Sequence, residues 1–305
     1  MKRFQSNGKL LITGEYAVLN GAKALTVPTK FSQDLIIHES EETTTNWKSF
    51  DQDDKVWFEG AFKIENGEVK CISENASSEV AKRLIQILQA AHHSNPEVFA
   101  ENMGYNVETK LNFDQNWGLG TSSTLINNIA QWFNIDAFQL LAKTFGGSGF
   151  DIAAAQNNNP VTYQLTGTGR TVLNANFRPP FKDDLFFVYL NNKQNSRQAI
   201  AHYKNQPQEN LDVLIEKISN ITLQFIDCTS LAEFEMLIEI HETLISQAIN
   251  LPKVKTELFN DYPRKIKSLG GWGGDFVMAT GGENEKEYFR SKGYHTIFSY
   301  EDIVL

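Results

Sequence analysis

Asp151 is the side chain in this sequence whose surroundings best suit acid–base chemistry. It lies in the stretch FGGSGFDIAAAQNNNP, residues 145–160, between a run of glycines and a run of small residues. Glycines let the backbone approach another surface closely, and the alanines suit a tightly packed helix. The pattern predicts a carboxylate at a loop-to-helix junction. The alternative is that Asp151 is a helix N-cap, which is a common structural use of aspartate.

A second stretch, WGLGTSSTLINN at residues 117–128, suggests phosphate binding. It is a glycine loop that opens a predicted helix, and Thr121, Ser122 and Ser123 offer hydroxyl groups. Backbone N–H groups at a helix start carry the positive end of the helix dipole and bind anions. The stretch has neither the third glycine of a dinucleotide fingerprint nor a GK[ST] sequence, so it supports neither a Rossmann site nor a Walker loop. A structural loop that only begins the helix remains the alternative.

Composition limits the classes of partner. The 305 residues are 41% hydrophobic and carry a formal net charge of −9, which is compatible with one large or two medium domains and argues against nucleic acid or an anionic membrane as the main partner. Cys71 and Cys228 are far apart, which favours reduced thiols and a cytoplasmic location. The amino terminus has no long apolar stretch, so we expect neither a signal peptide nor a membrane span.

The elements that must position these residues mix strands and helices. KLLITGEYAVL predicts a strand, a turn at Gly14 and a second element, and residues 31–72 alternate as a β-rich meander. Helices are predicted in SSEVAKRLIQILQAAHH and in TLINNIAQWF, and two more fill the second half, where Ser230 and Glu233 have capping-box spacing. His241 lies on an apolar helix face, which favours a satisfied core histidine over a catalytic one. The order predicts an α+β fold in two lobes.

Three glycine-bearing stretches, in this order, resemble the GHMP kinases, the family that includes galactokinase, homoserine kinase, mevalonate kinase and phosphomevalonate kinase. They are NGKLLITGEYAVLNG, WGLGTSSTL and GGWGGDFVMATGG, with GSGFDIAAA between the second and third. The resemblance spans residues 7–282. It implies a two-lobed GHMP kinase fold with the active site in the inter-lobe cleft. The amino-terminal lobe, residues 1–155, would carry the ATP loop, and residues 156–305 would form the carboxyl-terminal lobe.

The resemblance also implies roles for individual residues. Asp151 would be the catalytic acid/base residue, and Lys9 would contact the reacting centre and keep that carboxylate ionised. ATP would bind to the loop Gly118, Leu119, Gly120, Thr121, Ser122 and Ser123, and Ser122 would lie near Mg²⁺. The substrate would contact Glu15, Tyr16, Ser148, Gly149, Lys193, Ser196, Gly273 and Gly274. The partners implied are ATP and an anionic small molecule, and a homodimer stays open.

Within the family, the details favour phosphomevalonate kinase, an enzyme of the mevalonate route to isoprenoids. Tyr16 stands where mevalonate kinases usually have histidine, and WGGDF with Asp275 resembles the phosphomevalonate kinase closing loop. LNNKQNSRQAI is similar to substrate segments of both enzymes. Mevalonate kinase has a magnesium-binding glutamate ahead of its catalytic aspartate, but here Leu140 takes that place and no acid occurs between Asp136 and Asp151.

The chain departs from the family pattern in places. FDQNW replaces the prolines that usually precede the ATP loop, Trp272 replaces a small residue, and Thr121 and Thr124 stand where serine and alanine are more usual. Three alternatives therefore accompany phosphomevalonate: mevalonate, another small alcohol or sugar such as homoserine, and a binding or regulatory protein that has lost catalysis. The presence of Lys9, Ser122 and Asp151 together speaks against the last.

Overall fold

The computed structural model describes residues 1–207 and 209–305. The strands are β1 (Lys2–Thr13), β2 (Ala24–Ser40), β3 (Thr45–Phe50), β4 (Val56–Glu65), β5 (Glu68–Cys71), β6 (Gly104–Leu111), β7 (Val161–Thr166), β8 (Gly169–Asn174), β9 (Leu185–Tyr189), β10 (Ile266–Leu269), β11 (Phe276–Thr280) and β12 (Ile297–Ser299). The helices are α1 (Glu79–Ser94), α2 (Thr121–Phe133), α3 (Ala137–Thr144), α4 (Phe150–Ala155), α5 (Ser196–Lys204), α6 (Leu211–Asp227), α7 (Leu231–Ile249), α8 (Val254–Leu258), α9 (Glu283–Ser291) and α10 (Tyr300–Ile303). The predicted α+β class is confirmed.

The chain forms two compact units, and each is assembled from separate segments. The first consists of Met1–Gly8, Phe31–Gln115 and Gly120–Gln156. The second consists of Lys9–Lys30, Asn116–Leu119 and Asn157–Leu305. The first unit ends one residue beyond the lobe boundary predicted at residue 155, but two early segments belong to the second unit. The contiguous lobes 1–155 and 156–305 stay a prediction.

In the first unit, helices pack on a sheet. The strands follow the order β5-β4-β3-β6-β2, with β6 antiparallel to β2 and parallel to β3. Helices α1, α2 and α3 pack on one another, and α1 and α2 bury the apolar stripes that their sequence periodicity predicts. The resulting core joins strand residues such as Trp47 and Phe62 to helix residues such as Leu88, Ile129 and Phe133. This layer holds α2 and α4, which begin at the two glycine-bearing stretches of the unit.

In the second unit, β7 pairs with the first part of β2 and with β8. A separate sheet has the order β10-β11-β9-β12, and the strands for which pairings are defined run antiparallel. Phe186, Val188 and Val277 of this sheet pack on Phe259 and Phe289 in one core. In this sheet, the closing glycine loop, residues 270–275, connects the end of β10 to the start of β11.

Side-chain caps fix several of the helix starts. Ser78 Oγ accepts a hydrogen bond from Ala81 N at α1, and Asp136 Oδ1 accepts one from Phe138 N at α3. Ser230 Oγ accepts one from Glu233 N at α7, which is the first half of the predicted capping box. The Ser230 cap explains why the capping-box spacing of Ser230 and Glu233 predicted the start of α7. Among the described residues, no helix is both long and apolar enough to cross a membrane.

Candidate active site

The amino terminus of α2 offers unpaired donors to an anion. Its N-cap is Gly120, which has a φ of 94°, and no side chain caps the helix. Ser123 Oγ donates to Gly120 O at 2.8 Å, and Thr124 Oγ1 donates to Gln33 Oε1 at 2.7 Å. Ser122 is exposed, and its hydroxyl makes no hydrogen bond within the described part of the chain. The first-turn N–H groups and the Ser122 hydroxyl are therefore available to a ligand.

The same residues fit a magnesium ion held with a nucleotide. No group of three or more histidine, cysteine, aspartate or glutamate residues that could hold a metal occurs in residues 1–207 and 209–305. Mg²⁺ needs no such group, because it commonly keeps several waters and binds through substrate phosphates and a few protein oxygens. The free Ser122 hydroxyl is such an oxygen.

Asp151 lies in the first turn of α4 and not at its cap. The N-cap of α4 is Gly149, which has a φ of 93°, so the N-cap interpretation of Asp151 is wrong. The left-handed conformation at Gly149 favours glycine, since a Cβ is strained there. Ser148, half-buried, precedes this glycine, and Ile152 and the alanines that follow Asp151 are buried. The sequence was therefore right that Asp151 lies at a tightly packed loop-to-helix junction.

Lys9 is held by the loop that precedes α2. Its Nζ donates to Gly118 O at 3.1 Å, and its backbone N–H donates to Leu119 O at 2.9 Å. The side chain is half-buried on β1, with Gly270 also close to it. One strand thus places a cation next to Gly118 of the predicted ATP loop.

Asp275 is a second charged residue at this loop, and sequence reasoning gave it no role beyond the closing motif. It is buried, has a φ of 52°, and accepts a hydrogen bond from Gln194 N at 3.1 Å through Oδ1. Burial raises the pKa of its carboxyl, and the charge of Lys9 opposes that rise. The signal in the sequence was an aspartate directly after two glycines, at the start of an apolar strand.

The Asp275 carboxyl fills the space next to Gly118. A Cβ built on Gly118 would lie 2.2 Å from Asp275 Cγ, which is far inside van der Waals contact. Gly118 also has a φ of 68°. Glycine is therefore required at position 118 for two independent reasons, its backbone conformation and the carboxylate beside it.

We expect Gly118→Ala to destabilise the fold more than Gly146→Ala. The two glycines have φ values of 68° and 66°, so each alanine carries the same left-handed strain of about 1–2 kcal/mol. The new Cβ meets another group at Gly118, whereas at Gly146 no atom of the described residues lies within 4 Å of it. The clash should add about 1–3 kcal/mol. Urea unfolding of both variants measures the difference, and equal losses would show that Asp275 moves away freely.

Tyr16 links the first motif to the closing loop. It has a φ of 58°, which is uncommon for a tyrosine, and its hydroxyl accepts a hydrogen bond from Trp272 N at 3.0 Å. Its ring stacks on Tyr203 with 5.6 Å between the centroids. Trp272, the departure from the family pattern, is buried beside it in the same apolar cluster. Tyr16 is thus held in place by contacts on both its ring and its hydroxyl.

Glu15 belongs to a buried charge cluster instead of an open pocket. Its exposure is 0%, and its contact with a substrate stays a prediction. Lys267 Nζ donates to its Oε1 at 2.6 Å, and His241 Nε2 lies 3.2 Å from its Oε2. Glu242 Oε1 lies 3.5 Å from Lys267 Nζ, and Ser268 Oγ donates to Glu242 Oε2 at 3.2 Å.

Protonation in this cluster follows from burial. Burial raises the pKa of Glu15 and raises that of Glu242 to about 7, while the charge of Lys267 opposes both shifts. Burial and the Lys267 charge hold the pKa of His241 well below its ordinary value. Its Nε2 accepts a hydrogen bond from Gly14 N at 3.2 Å, which requires a neutral ring. His241 is thus buried as predicted, but its Nδ1 has no hydrogen-bond partner among residues 1–207 and 209–305.

The other predicted substrate residues lie around the closing loop and α5. Lys193 and Ser196 are exposed, and the charge of Lys193, like that of Lys9, opposes the rise that burial causes in the pKa of Asp275. Gly273 has a φ of 81° and accepts a hydrogen bond from Asn192 Nδ2. A Cβ on Gly274 would lie 2.7 Å from Asn192 O, so this glycine permits a close backbone approach. Their contacts with a substrate stay a prediction.

Known sequences give no match, but known structures do. No family model and no curated protein sequence matches this chain. The Methanococcus jannaschii mevalonate kinase is 14% identical and superposes with a TM-score of 0.66 over 97% of this chain and 96% of that one. The Streptococcus pneumoniae phosphomevalonate kinase, in complex with phosphomevalonate and AMPPNP, is 15% identical. It superposes with a TM-score of 0.65 over 100% of this chain and 98% of that one.

A sugar kinase is similar to the same degree. The Lactococcus lactis galactokinase complexed with galactose is 12% identical and has a TM-score of 0.66 over 95% of this chain and 88% of that one. Since three kinases with different acceptors superpose almost equally well, the likeness fixes the architecture and leaves the acceptor open. The chain has the GHMP kinase fold.

Proposed function

We propose that this protein is an ATP-dependent phosphotransferase whose acceptor is phosphomevalonate, in the mevalonate route to isoprenoids. The observation that carries the proposal is the start of α2, where left-handed glycines precede an uncapped helix terminus and the free hydroxyl of Ser122. The three solved structures with a similar fold are kinases, which supports phosphoryl transfer as the reaction class. The complex of the Streptococcus phosphomevalonate kinase with AMPPNP supports ATP as the donor.

Each candidate site residue has a separate proposed role in phosphoryl transfer. This reaction depends mainly on positioning and on stabilising charge that spreads over the phosphoryl oxygens. The backbone N–H groups of α2 hold the nucleotide phosphates, and the Lys9 ammonium offsets charge on the migrating group. Ser122 would hold a magnesium ion, which neutralises phosphate charge when bound. Asp151 takes the proton from an attacking hydroxyl, or orients an acceptor that is already ionised.

Sequence details favour phosphomevalonate over its alternatives. Tyr16 and the WGGDF loop resemble the phosphomevalonate kinase form of their motifs, and no acidic residue stands between Asp136 and Asp151. Mevalonate is the second candidate, since mevalonate kinases have the same fold. A substrate panel with coupled detection of ADP separates these acceptors from galactose and homoserine. The proposal of a phosphomevalonate kinase fails if another acceptor gives the highest kcat/KM.

Nucleotide binding can be tested at Gly120. Gly120→Val places a branched side chain at a φ of 94° in front of the first-turn N–H groups, so we expect ATP affinity to fall at least about 10-fold. Gly67→Val is the matched control, because Gly67 has a φ of 77° and no atom in the described part of the chain lies within 4 Å of its Cβ position. Calorimetry with ATP and magnesium measures both variants. Unchanged affinity in Gly120→Val contradicts the assignment of the loop.

A further inference from the structure

Strand β8 is an open edge strand of the second unit. It pairs with β7 on one side, and no strand in the described part of the chain pairs with its other side. Five of its six residues are exposed, and Val172 is half-buried. Leu173 has an exposure of 58%, more than any other large hydrophobic residue in a described strand. An edge of this kind offers its backbone to another strand.

The register of β7 and β8 determines which backbone groups point outward. Ala175 N donates to Pro160 O at 2.8 Å, so these two residues form a hydrogen-bonded pair that continues the ladder. Hydrogen-bonded and non-hydrogen-bonded pairs alternate along an antiparallel ladder. The backbone of Leu173 therefore bonds to β7, whereas the N–H and C=O groups of Val172 and Asn174 point away from β7.

The β8 edge is less protected than the edge strand of the first unit, β5. Charged side chains, proline, bulges and covering groups are the usual means of protecting an edge. At β5, Gln89 Oε1 accepts a hydrogen bond from Val69 N at 2.6 Å, and the strand carries the charged residues Glu68 and Lys70. Residues 171–174 of β8 include neither a charged residue nor a proline. Of these two edges, β8 is therefore the one suited to pairing with a further strand.

We propose that β8 pairs antiparallel with β8 of a second copy of this chain, around a two-fold axis at Leu173. In this register Val172 lies opposite Asn174 of the other copy, and the two such pairs exchange about four main-chain hydrogen bonds. The two Leu173 side chains lie opposite each other in the closely spaced, non-hydrogen-bonded position and shield each other from water. The Cα atoms of the two Arg170 residues are about 20 Å apart, so the pairing does not oppose like charges.

A second copy fits this edge because the edge is complementary to itself. The two-fold axis matches outward donors with outward acceptors and places the exposed leucine of each copy against the same leucine of the other. Such an interface uses the β8 edge of both copies, so the assembly closes as a dimer. The protected β5 edge does not extend it into a longer sheet. Because the paired segment is short, we expect weak association, with a dissociation constant of about 10–100 μM.

Analytical ultracentrifugation of the full chain, over about 1–500 μM, tests for the dimer. Leu173→Lys places two like charges opposite each other at the axis, so we expect the dissociation constant to rise at least about 10-fold. Leu223→Lys makes the same change at an exposed leucine of α6 and should leave the association unchanged. A wild-type chain that stays monomeric over this range overturns the proposal, and so does an unchanged dissociation constant for Leu173→Lys.

Disulfide cross-linking tests the register of the pairing. Opposed residues at a non-hydrogen-bonded position have Cα atoms about 4.5 Å apart, so Leu173→Cys should give a covalent dimer on mild oxidation. Thr171→Cys lies on the same face of β8, but its counterpart would be about 14 Å away, so it should not cross-link. The wild-type chain, which contains Cys71 and Cys228, gives the background. Equal cross-linking of the two variants, or none in Leu173→Cys, overturns the pairing.

Discussion

An Asp151→Asn enzyme should keep its affinity for the acceptor and lose turnover, and the size of the loss should identify the acceptor. A hydroxyl such as that of mevalonate must lose a proton as it attacks, so removal of the base should lower kcat by ~10²–10⁴-fold. A phosphate monoester, with a second pKa near ~6, is already largely ionised at neutral pH. With phosphomevalonate we therefore expect a moderate loss of kcat and little change in KM.

Asp136→Asn is the matched control for this experiment. Asp136 caps α3 in the same unit, and asparagine caps a helix about as well as aspartate does. Steady-state kinetics of both variants should show normal turnover for Asp136→Asn. Full activity of Asp151→Asn would show that Asp151 only stabilises α4, through its negative charge in the first turn of the helix. Complete loss of turnover would favour mevalonate over phosphomevalonate.

Lys267→Met should destabilise the protein by about 3–5 kcal/mol, the usual effect of removing one partner from a buried ion pair. Lys267 has an exposure of 0% and is the cation between Glu15 and Glu242, 2.6 and 3.5 Å away. Without it, both carboxyls must stay protonated or remain charged without compensation. The free energy of unfolding in urea measures the loss.

Two further variants test whether Lys267→Met loses stability because Lys267 is a buried charge. Lys265→Met removes the neighbouring lysine from a partly exposed pair with Glu239 and should change stability by at most about 1 kcal/mol. The double variant Glu15→Gln/Lys267→Met removes charge from both partners, so it should recover part of the stability that Lys267→Met loses. A Lys267→Met protein as stable as the wild type would show that the ion pair makes no net contribution.

Local pattern was sufficient to predict much of the fold. The apolar stripes of α1 and α2 and the glycines before α2 and α4 are local signals, because periodicity and backbone conformation act within a few residues. For the same reason the loop-to-helix junction at Asp151 was correctly placed. Short elements such as α5 and α8 depend on what packs against them, and their sequences carry weaker signals.

The buried charge cluster could not have been predicted from spacing. Glu15 and Lys267 are 252 residues apart, and a glutamate next to a tyrosine in a glycine-bearing motif suggests contact with a ligand. Lys267 lies in β10, and the four residues of this short strand do not show from sequence alone which face of the sheet is buried. Likewise, the carboxyl of Asp275 beside Gly118 joins two loops from distant parts of the chain. Tertiary packing decides such pairs, and no local rule anticipates them.

The interleaved segments of the two compact units restrict how this protein can be divided genetically. A fragment that stops at residue 156 would contain Ala24–Thr26 of β2 but not β7, which pairs with it. An unpaired edge of that kind promotes aggregation. A fragment that begins at residue 157 would contain Lys267 without Glu15, its closest counter-charge. Neither half is a self-sufficient module, so split reporters or single-unit expression would require both fragments together or a circularly permuted gene.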